Sequence, residues 1–294
     1  MLIARRAAQL GAKVAVIEFD RLGGTCVNRG CIPKKLLYNA STIYSSRELF
    51  PSYKVMSKED PESIPFDWSA YKQKMDAYIL RLNGIYERNL NNDKIQTFLG
   101  RGEILGRQIE GDDASPILVA IQKDAEHHSE SVIIATKKLC IATGSHPVVP
   151  KIEGAEHGIT SDNFFKLTTR PNKVVVVGAG YIAVELATSL AHLGAKEIHL
   201  CTRGDRILKA FDEMISQEAV ETLRRTGIEV AYKAAPEKIV KEANGTLSVH
   251  LPGGRVSLSI YPPSLLCVHC ETGAQRRYGH LGDRPSWPLP GPGL

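Results

Sequence analysis

This chain of 294 residues lacks long apolar runs, clusters of basic residues and a dense set of cysteines. No stretch is apolar for long enough to span a bilayer, and no signal or transit peptide is recognised, so a membrane partner is not expected. The net charge of +5 comes from scattered Lys and Arg, which argues against nucleic acid as a partner. Six cysteines at this length do not form a secreted disulfide framework. A reducing compartment is therefore expected, either cytoplasmic or mitochondrial.

Metal-ligating patterns are also scarce. His127 and His128 adjoin acidic residues, but neighbouring residues point to opposite faces of a strand or lie on a solvated loop. Cys267 and Cys270 form one Cys-x-x-Cys pair without a second pair of ligands, which is a weak signal. We expect no metal site. The remaining composition, 43% hydrophobic and 23% charged, fits an enzyme with two domains.

The most informative stretch runs from Gly23 to Lys35. Its two cysteines, Cys26 and Cys31, are separated by four residues, so they can lie one turn apart at the start of a helix within disulfide range. Amides at a helix start, together with Lys34 and Lys35, would stabilise a thiolate. This favours a reversible redox pair, and the alternatives are an inert disulfide or two buried thiols.

This run resembles the redox-active disulfide motif of the flavin-dependent pyridine-nucleotide disulfide reductases almost residue for residue. The resemblance extends to about Arg255 and is greatest to the branch that reduces glutathione disulfide. It implies that Cys26 attacks the disulfide substrate and that Cys31 contacts the flavin. It also implies FAD as a cofactor, with contacts at Glu18, Thr25, Lys34, Gly102, Thr143, Gly144 and Ser161.

The beginning of the chain reads as a helix over 1–11 and a buried parallel strand over 13–18 that ends at Glu18. In a dinucleotide fold such an acid binds ribose hydroxyls, and a preceding strand and glycine-rich turn bind the pyrophosphate. That preceding strand and turn are not found here, so the chain is expected to start partway through its first flavin-binding unit. The resemblance places Arg5, in the opening helix, at the substrate.

The middle of the chain is predicted to contain a long helix over about 67–91, followed by a small antiparallel insertion over 95–134. The resemblance places Tyr86, on that helix, in the substrate pocket. Residues 138–145 read as an apolar strand that ends in a glycine turn, with Cys140 as a buried small hydrophobe. The apolar stripe predicted for the long helix consists of Trp68, Tyr71, Met75, Tyr78, Leu82 and Ile85.

The second strong signal is a strand over 173–177 that leads into a Gly-x-Gly-x-x-Ala turn and a helix, the context that a dinucleotide fingerprint requires. The next strand, over 197–201, leads into Thr202 and Arg203 rather than into an acid. An acid at this position would repel a 2′-phosphate. Arg203, Arg206 and Lys209 could pair with that phosphate, so NADPH is expected; the alternative is a solvated basic loop. The predicted nucleotide contacts are Gly178, Ala179, Gly180, Ile182, Glu185, Arg203 and Lys209.

The same resemblance assigns two further roles. Tyr181 would shield the flavin until the nicotinamide displaces it, and Glu185 would pair with Lys34. In the family a homodimer supplies a His–Glu pair from the partner subunit, and the dimerisation domain lies beyond the region of resemblance. Residues 252–294 hold seven of the sixteen prolines, and we expect this segment to be disordered.

Together these patterns predict an α/β, three-layer protein with two Rossmann-like domains, an incomplete FAD domain and an inserted NADPH domain. The predicted ranges are 1–150 for the FAD domain, 151–260 for the NADPH domain and 261–294 for a tail outside the family. The expected function is reduction of glutathione disulfide by NADPH through FAD. Two alternatives stay open: a catalytically inactive fragment that retains at most NADPH binding, and a thioredoxin or dithiol reductase.

Overall fold

A computed structural model describes residues 1–55, 64–122 and 132–254, together with the backbone of residues 258–260 and 265–267. The helices are α1 (Leu2–Gln9), α2 (Gly24–Arg29), α3 (Cys31–Ser45), α4 (Trp68–Asn92), α5 (Ser161–Phe164), α6 (Tyr181–His192) and α7 (Glu213–Arg225). The strands are β1 (Ala15–Glu18), β2 (Gln96–Leu99), β3 (Arg101–Arg107), β4 (Ile117–Gln122), β5 (Val132–Thr136), β6 (Ile159–Thr160), β7 (Lys173–Val177), β8 (Glu197–Cys201), β9 (Ile228–Ala231), β10 (Lys238–Lys241), β11 (Leu247–His250), β12 (Leu258–Ile260) and β13 (Leu265–Cys267).

The largest sheet is a five-stranded parallel sheet in the order β6-β13-β7-β8-β9. Its central strand β7 is valine-rich, with Val174, Val175 and Val176 all buried, as expected for a parallel strand covered on both faces. Helix α6 packs on one face, and the antiparallel β10-β11-β12 sheet covers the other. This is the three-layer α/β arrangement expected for the second domain.

One strand of this sheet corrects the sequence analysis. Strand β13 pairs in parallel with both β6 and β7, so residues 265–267 belong to the sheet rather than to an unstructured tail. A three-residue strand gives almost no periodic signal, and its position is set by the open edges of β6 and β7. The other domain boundaries stay predictions.

The part before the second domain contains smaller sheets. Strands β1 and β2 pair in parallel, and β3-β4-β5 form the antiparallel sheet expected over 95–134, although β2 pairs with β1 instead. Residues 138–150 have neither helix nor strand, so the strand expected over 138–145 is wrong. An apolar run becomes a strand only where another backbone edge accepts its hydrogen bonds, and this run has none among the described residues.

The long helix α4 agrees with its prediction over 67–91. Asp67 caps it, since its side chain accepts a hydrogen bond from the Ala70 backbone N–H at 2.9 Å. The predicted stripe is wrong at Tyr78, which is 40% exposed, whereas Ile79 is buried. Tyr78 instead stacks under the guanidinium of Arg81, 4.8 Å from its ring centroid.

A single apolar core joins the elements that hold the candidate site. It runs from Leu37 on α3 through Met75 on α4 and Phe164 on α5 to Val176 on β7 and Leu186 on α6. Among the helices of the described residues, none is long and apolar enough to cross a membrane.

Candidate redox and nucleotide site

A disulfide joins Cys26 to Cys31, with their Cα atoms 4.6 Å apart. The sequence analysis expected both cysteines at the start of one helix, but they lie in two different helices. Cys26 lies in α2, and Cys31 is the first residue of α3. Both residues are exposed.

The break between α2 and α3 occurs at Gly30, whose backbone has φ −134° and ψ −114°. A Cβ atom at this position would lie 2.9 Å from the carbonyl oxygen of Thr25 and 3.3 Å from the Cα of Cys26. The absence of a side chain therefore lets the start of α3 pack against the backbone that carries Cys26. The sequence analysis missed this role, although Gly30 stands inside the motif.

The lysines after the disulfide have partners of their own. Lys34 Nζ lies 2.8 Å from Glu185 Oε1, so α3 is joined to α6 as the resemblance implied. Lys35 Nζ lies over the ring of Tyr38, 4.2 Å from its centroid. Both ammonium groups are therefore directed to these partners, and their stabilisation of a thiolate stays a prediction.

Charged groups that the sequence analysis did not consider flank the disulfide. Arg29, between the two cysteines, pairs with Asp20 in the preceding loop and lies 3.6 Å from Asp162 on α5. His146 Nδ1 lies 3.8 Å from the same Asp162 carboxylate. Arg29 thereby links α2, the helix that contains Cys26, to α5.

The residues predicted to contact the flavin lie on several different elements. Glu18 ends β1, and its carboxylate accepts a hydrogen bond from the Asp20 backbone N–H at 3.0 Å. Gly102 on β3 packs against β1, because a Cβ there would lie 3.4 Å from Ile17 Cδ1. Thr25 precedes Cys26 on α2, and Ser161 is buried at the start of α5. Thr143 and Gly144 are exposed in the segment without regular structure.

The nucleotide fingerprint adopts its expected strand-turn-helix form. Gly178 has φ +145° and follows β7, and Gly180 is the N-cap of α6. The position of a Cβ at Gly180 is open space, and no side chain caps the first amides of α6. A pyrophosphate can therefore approach this backbone and its amides, so the residues present fit a dinucleotide.

The predicted 2′-phosphate loop is fixed to this turn. The backbone N–H of Leu208 donates to the Ala179 carbonyl at 2.7 Å, so the loop and the glycine turn are neighbours. Arg203 is exposed, and Lys209 Nζ lies 2.9 Å from Asp205 Oδ1. Asp205 is an acid in the loop that the sequence analysis left out. The hydrogen bond from Lys209 is the main reason that the pKa of the Asp205 carboxyl group is lowered.

A cleft of about 790 Å³ opens beside this loop, lined by Arg206, Lys209, Glu213, Arg224 and Tyr232 among others. Tyr181 and Ile182 open α6, with Tyr181 half exposed and Ile182 packed against the core. The roles of Tyr181 and Ile182 at the cofactors stay predictions.

The two predicted substrate residues have different surroundings. Arg5 Nε lies 2.6 Å from Asp93 Oδ2, just past the end of α4. Tyr86 is partly buried and packs against the main core from the C-terminal third of α4. A role of either residue at the substrate stays a prediction.

The remaining cysteines correct one further expectation. Cys140 is exposed rather than buried, whereas Cys201 on β8 is fully buried. Burial disfavours the thiolate and raises the pKa of Cys201 to about 11. His127, His128 and Cys270 lie outside the described residues, as does the side chain of Cys267. Within the described residues no group of three or more His, Cys, Asp or Glu is arranged to hold a metal.

The profile of the pyridine nucleotide-disulphide oxidoreductase family matches residues 1–269, so the chain belongs to this family of FAD- and NADPH-dependent enzymes. The profile match extends to residue 269, and the curated relatives align over 84–85% of the chain.

Among curated relatives, the chain is 42% identical to glutathione reductase of Yarrowia lipolytica over 246 residues, 84% of this chain and 51% of that protein. It is 41% identical to glutathione reductase of Schizosaccharomyces pombe over 259 residues, 85% of this chain and 52% of that protein. The chain therefore spans about half the length of the curated relatives that it matches.

Solved structures show the same fold. The HOCl-induced flavoprotein disulfide reductase RclA from Escherichia coli superposes with a TM-score of 0.72 at 24% identity, over 90% of this chain and 53% of that chain. Its Cu(II) complex gives the same TM-score at 23% identity, with the same coverage.

Proposed function

We propose that this chain contains the NADPH-binding and redox-disulfide parts of a flavin-dependent reductase of glutathione disulfide. The observation that supports this most directly is the 2.8 Å ion pair between Lys34 and Glu185. It joins the helix that begins at Cys31 to the helix that begins at the Gly178–Gly180 turn. The glutathione reductases among its relatives support the choice of substrate. A homodimer and a cytoplasmic or mitochondrial location stay predictions.

FAD, when bound, supplies a two-electron carrier between nicotinamide and disulfide. Glu18 would hold its ribose, and Thr25, Lys34, Gly102, Thr143, Gly144 and Ser161 are the other proposed contacts. The Gly178–Gly180 turn would hold the pyrophosphate of NADPH, and Arg203 and Lys209 its 2′-phosphate. Ile182 and Glu185 complete the proposed nucleotide contacts, and Tyr181 would cover the flavin.

The chemistry at sulfur balances as a two-electron exchange. Two electrons from NADPH cleave the Cys26–Cys31 bond and leave two thiolates. The Cys26 thiolate attacks one sulfur of glutathione disulfide, which forms a mixed disulfide and expels one glutathione thiolate. The Cys31 thiolate then attacks Cys26 Sγ, which restores the protein disulfide and expels the second glutathione. In total NADPH, one proton and one disulfide give NADP⁺ and two thiols.

The first experiment asks whether NADPH opens the disulfide. The whole chain is incubated with FAD and NADPH without oxygen, then alkylated with iodoacetamide and mapped by mass spectrometry. We expect two new labels, on Cys26 and Cys31, and far fewer with NADH. Nucleotide binding without new labels would overturn the proposal and favour a fragment that only binds NADPH.

The second experiment tests the substrate. In Cys31→Ser the Cys26 thiol has no internal partner, so a mixed disulfide with the substrate accumulates. We expect glutathione disulfide to modify Cys26 faster than oxidised thioredoxin does, and Cys26→Ser serves as the control. A preference for thioredoxin would favour the thioredoxin reductase alternative.

A further inference from the structure

Two asparagines behind the disulfide have no role in the function proposed above. Asn28 lies on α2 between the two cysteines and is 5% exposed. Its Nδ2 lies within hydrogen-bond distance of three backbone carbonyl oxygens: Arg21 at 3.2 Å, Leu22 at 3.3 Å and Gly24 at 3.0 Å. The side-chain amide of Asn28 therefore binds the backbone of the loop that leads into α2.

The second asparagine links this loop to the long helix. Asn83 Nδ2, on α4, donates to the Leu22 carbonyl at 2.7 Å and to Asn28 Oδ1 at 2.9 Å. Because both acceptors need a donor, the orientation of this amide is fixed. Its Oδ1 is buried and has no hydrogen-bond partner among the described residues. Turning the amide over would place an oxygen against two acceptors, so the double donation determines its orientation.

The loop that these amides hold is also joined to its surroundings at Asp20, which pairs with Arg29 and donates its backbone N–H to Glu18. Within the part of the chain that the structure describes, the last residues of the loop lack such contacts of their own side chains. Gly23 and Gly24 have φ +114° and +63°, and no side chain caps the start of α2. Helix α2 is only six residues long, too short to be stable without tertiary contacts. The position of Cys26 therefore depends on the contacts of the loop and of Asn28 with α4.

We propose that Asn28 and Asn83 are positioning residues that set the redox equilibrium of the Cys26–Cys31 pair. When the bond is open, Cys26 and Cys31 belong to different helices, and the amide network keeps α2 in place against α4. Thiols that stay close together re-form their disulfide more favourably than thiols that separate. The network thus favours the oxidised form, and its loss shifts the equilibrium towards the dithiol.

The inference rests on the proposed redox role of this disulfide, but its test needs neither nucleotide nor flavin. The whole chain is equilibrated with mixtures of glutathione and glutathione disulfide, then quenched by alkylation and mapped at Cys26 and Cys31. In this reaction two glutathione thiols reduce the protein disulfide and become one glutathione disulfide. A failure of NADPH to reduce the chain would therefore not affect this measurement.

The variants Asn28→Asp and Asn83→Asp keep the size of each side chain and remove its N–H donors. We expect each to lower the equilibrium constant for the disulfide about tenfold, which corresponds to about 30 mV for a two-electron couple. Asn91→Asp, an exposed position on the same helix α4, is the matched control and should leave the constant unchanged.

A purely structural role predicts a different outcome. It would destabilise the oxidised and reduced forms equally, so urea unfolding would change while the redox constant would not. Asn83→Ser, which retains one hydroxyl donor, covers the case in which an aspartate variant does not fold, and we expect an intermediate shift. Constants within twofold of the parent chain for all folded variants would overturn the proposal.

Discussion

The chain contains two strand-and-helix units of dinucleotide-binding type, and they are packed very differently. In the second unit β7 lies between β13 and β8, its three central valines are buried, and α6 contributes five buried residues. In the first unit β1 pairs with β2 alone among the described strands, and α1 has no buried residue. Leu2 and Leu10 on and beside α1 are 82% and 72% exposed. The difference teaches that a strand of apolar sequence is buried only by its neighbours.

The largest expected contrast is in stability. Leu190 on α6 is fully buried, so Leu190→Ala should lower the free energy of unfolding by about 2–5 kcal/mol, because it leaves a cavity. The same change at Leu10 removes an exposed side chain and should alter it by less than about 0.5 kcal/mol. Urea unfolding followed by fluorescence measures both. Equal losses would mean that the first unit is as well packed as the second.

Thiol reactivity extends the comparison to the sheet of the second unit. At pH 8 iodoacetamide should label Cys140 about 100-fold faster than Cys201 in the folded chain, because the Cys201 thiolate is disfavoured by burial. Cys140→Ser is the control that identifies the fast site in a peptide map. This order is the reverse of what the expectation from sequence, that Cys140 is a buried small hydrophobe, would imply.

The same burial makes stability depend on pH. The pKa of Cys201 is about 11 in the folded chain, above about 8.5 in an unfolded one. The contribution of the neutral Cys201 thiol to the free energy of unfolding is fully present below about pH 8.5. It is lost as the pH rises towards 11, because the thiol of the unfolded chain ionises first. Cys201→Ala should flatten this loss, and an unchanged profile would argue against the shift.

A smaller effect is expected in nucleotide selection. Replacing Arg203 and Lys209 by alanine should weaken NADPH binding by about 1–3 kcal/mol and leave NADH binding nearly unchanged, since only NADPH has a 2′-phosphate. Fluorescence titration measures both affinities. Arg224→Ala is the matched control, because Arg224 lines the same cleft but lies on α7, outside the loop that is proposed to hold the 2′-phosphate. Equal affinity of the parent chain for the two nucleotides would contradict this reading.

The smallest effect concerns the tie between the first unit and α4. Asp93→Asn removes the carboxylate that pairs with Arg5, and a partly exposed ion pair of this kind contributes at most about 1 kcal/mol. We expect faster hydrogen exchange in α1 with little change in global unfolding. Asp76→Asn, which breaks a surface pair with Lys72, should leave α1 unaffected.

Sequence predicts the parts of this molecule whose signals are local. The long helix over 67–91, the fingerprint at Gly178–Gly180 and the motif around Cys26 and Cys31 each carry their own pattern, and the structure has each element. Two errors arose where the outcome depends on distant backbone. Residues 138–145 found no strand to pair with, and residues 265–267 found two open edges between β6 and β7.

Within the candidate site, the spacing of the cysteines contained a signal for the break at Gly30. A separation of five residues rises about 7.5 Å along an α-helix, which exceeds the usual Cα–Cα distance of a disulfide, so the helix has to break between them. The amides of Asn28 and Asn83 gave no such signal, since they are 55 residues apart and carry no charge. Asp205, the acid that pairs with Lys209, lies only four residues before it. This i,i+4 spacing was a sequence signal from which the pair could have been predicted.

The short span of the disulfide has a consequence for the life of the folded chain. Cys26 and Cys31 are only five residues apart. A cross-link stabilises a fold by lowering the entropy of the unfolded chain, and this effect grows with the logarithm of the length of the closed loop. A loop this short contributes about 2 kcal/mol, against about 5 kcal/mol for a loop of a hundred residues. The apolar core that joins α3, α4 and α6 contains neither cysteine. Opening the cross-link therefore removes only this small loop-closure contribution to the stability of the folded chain.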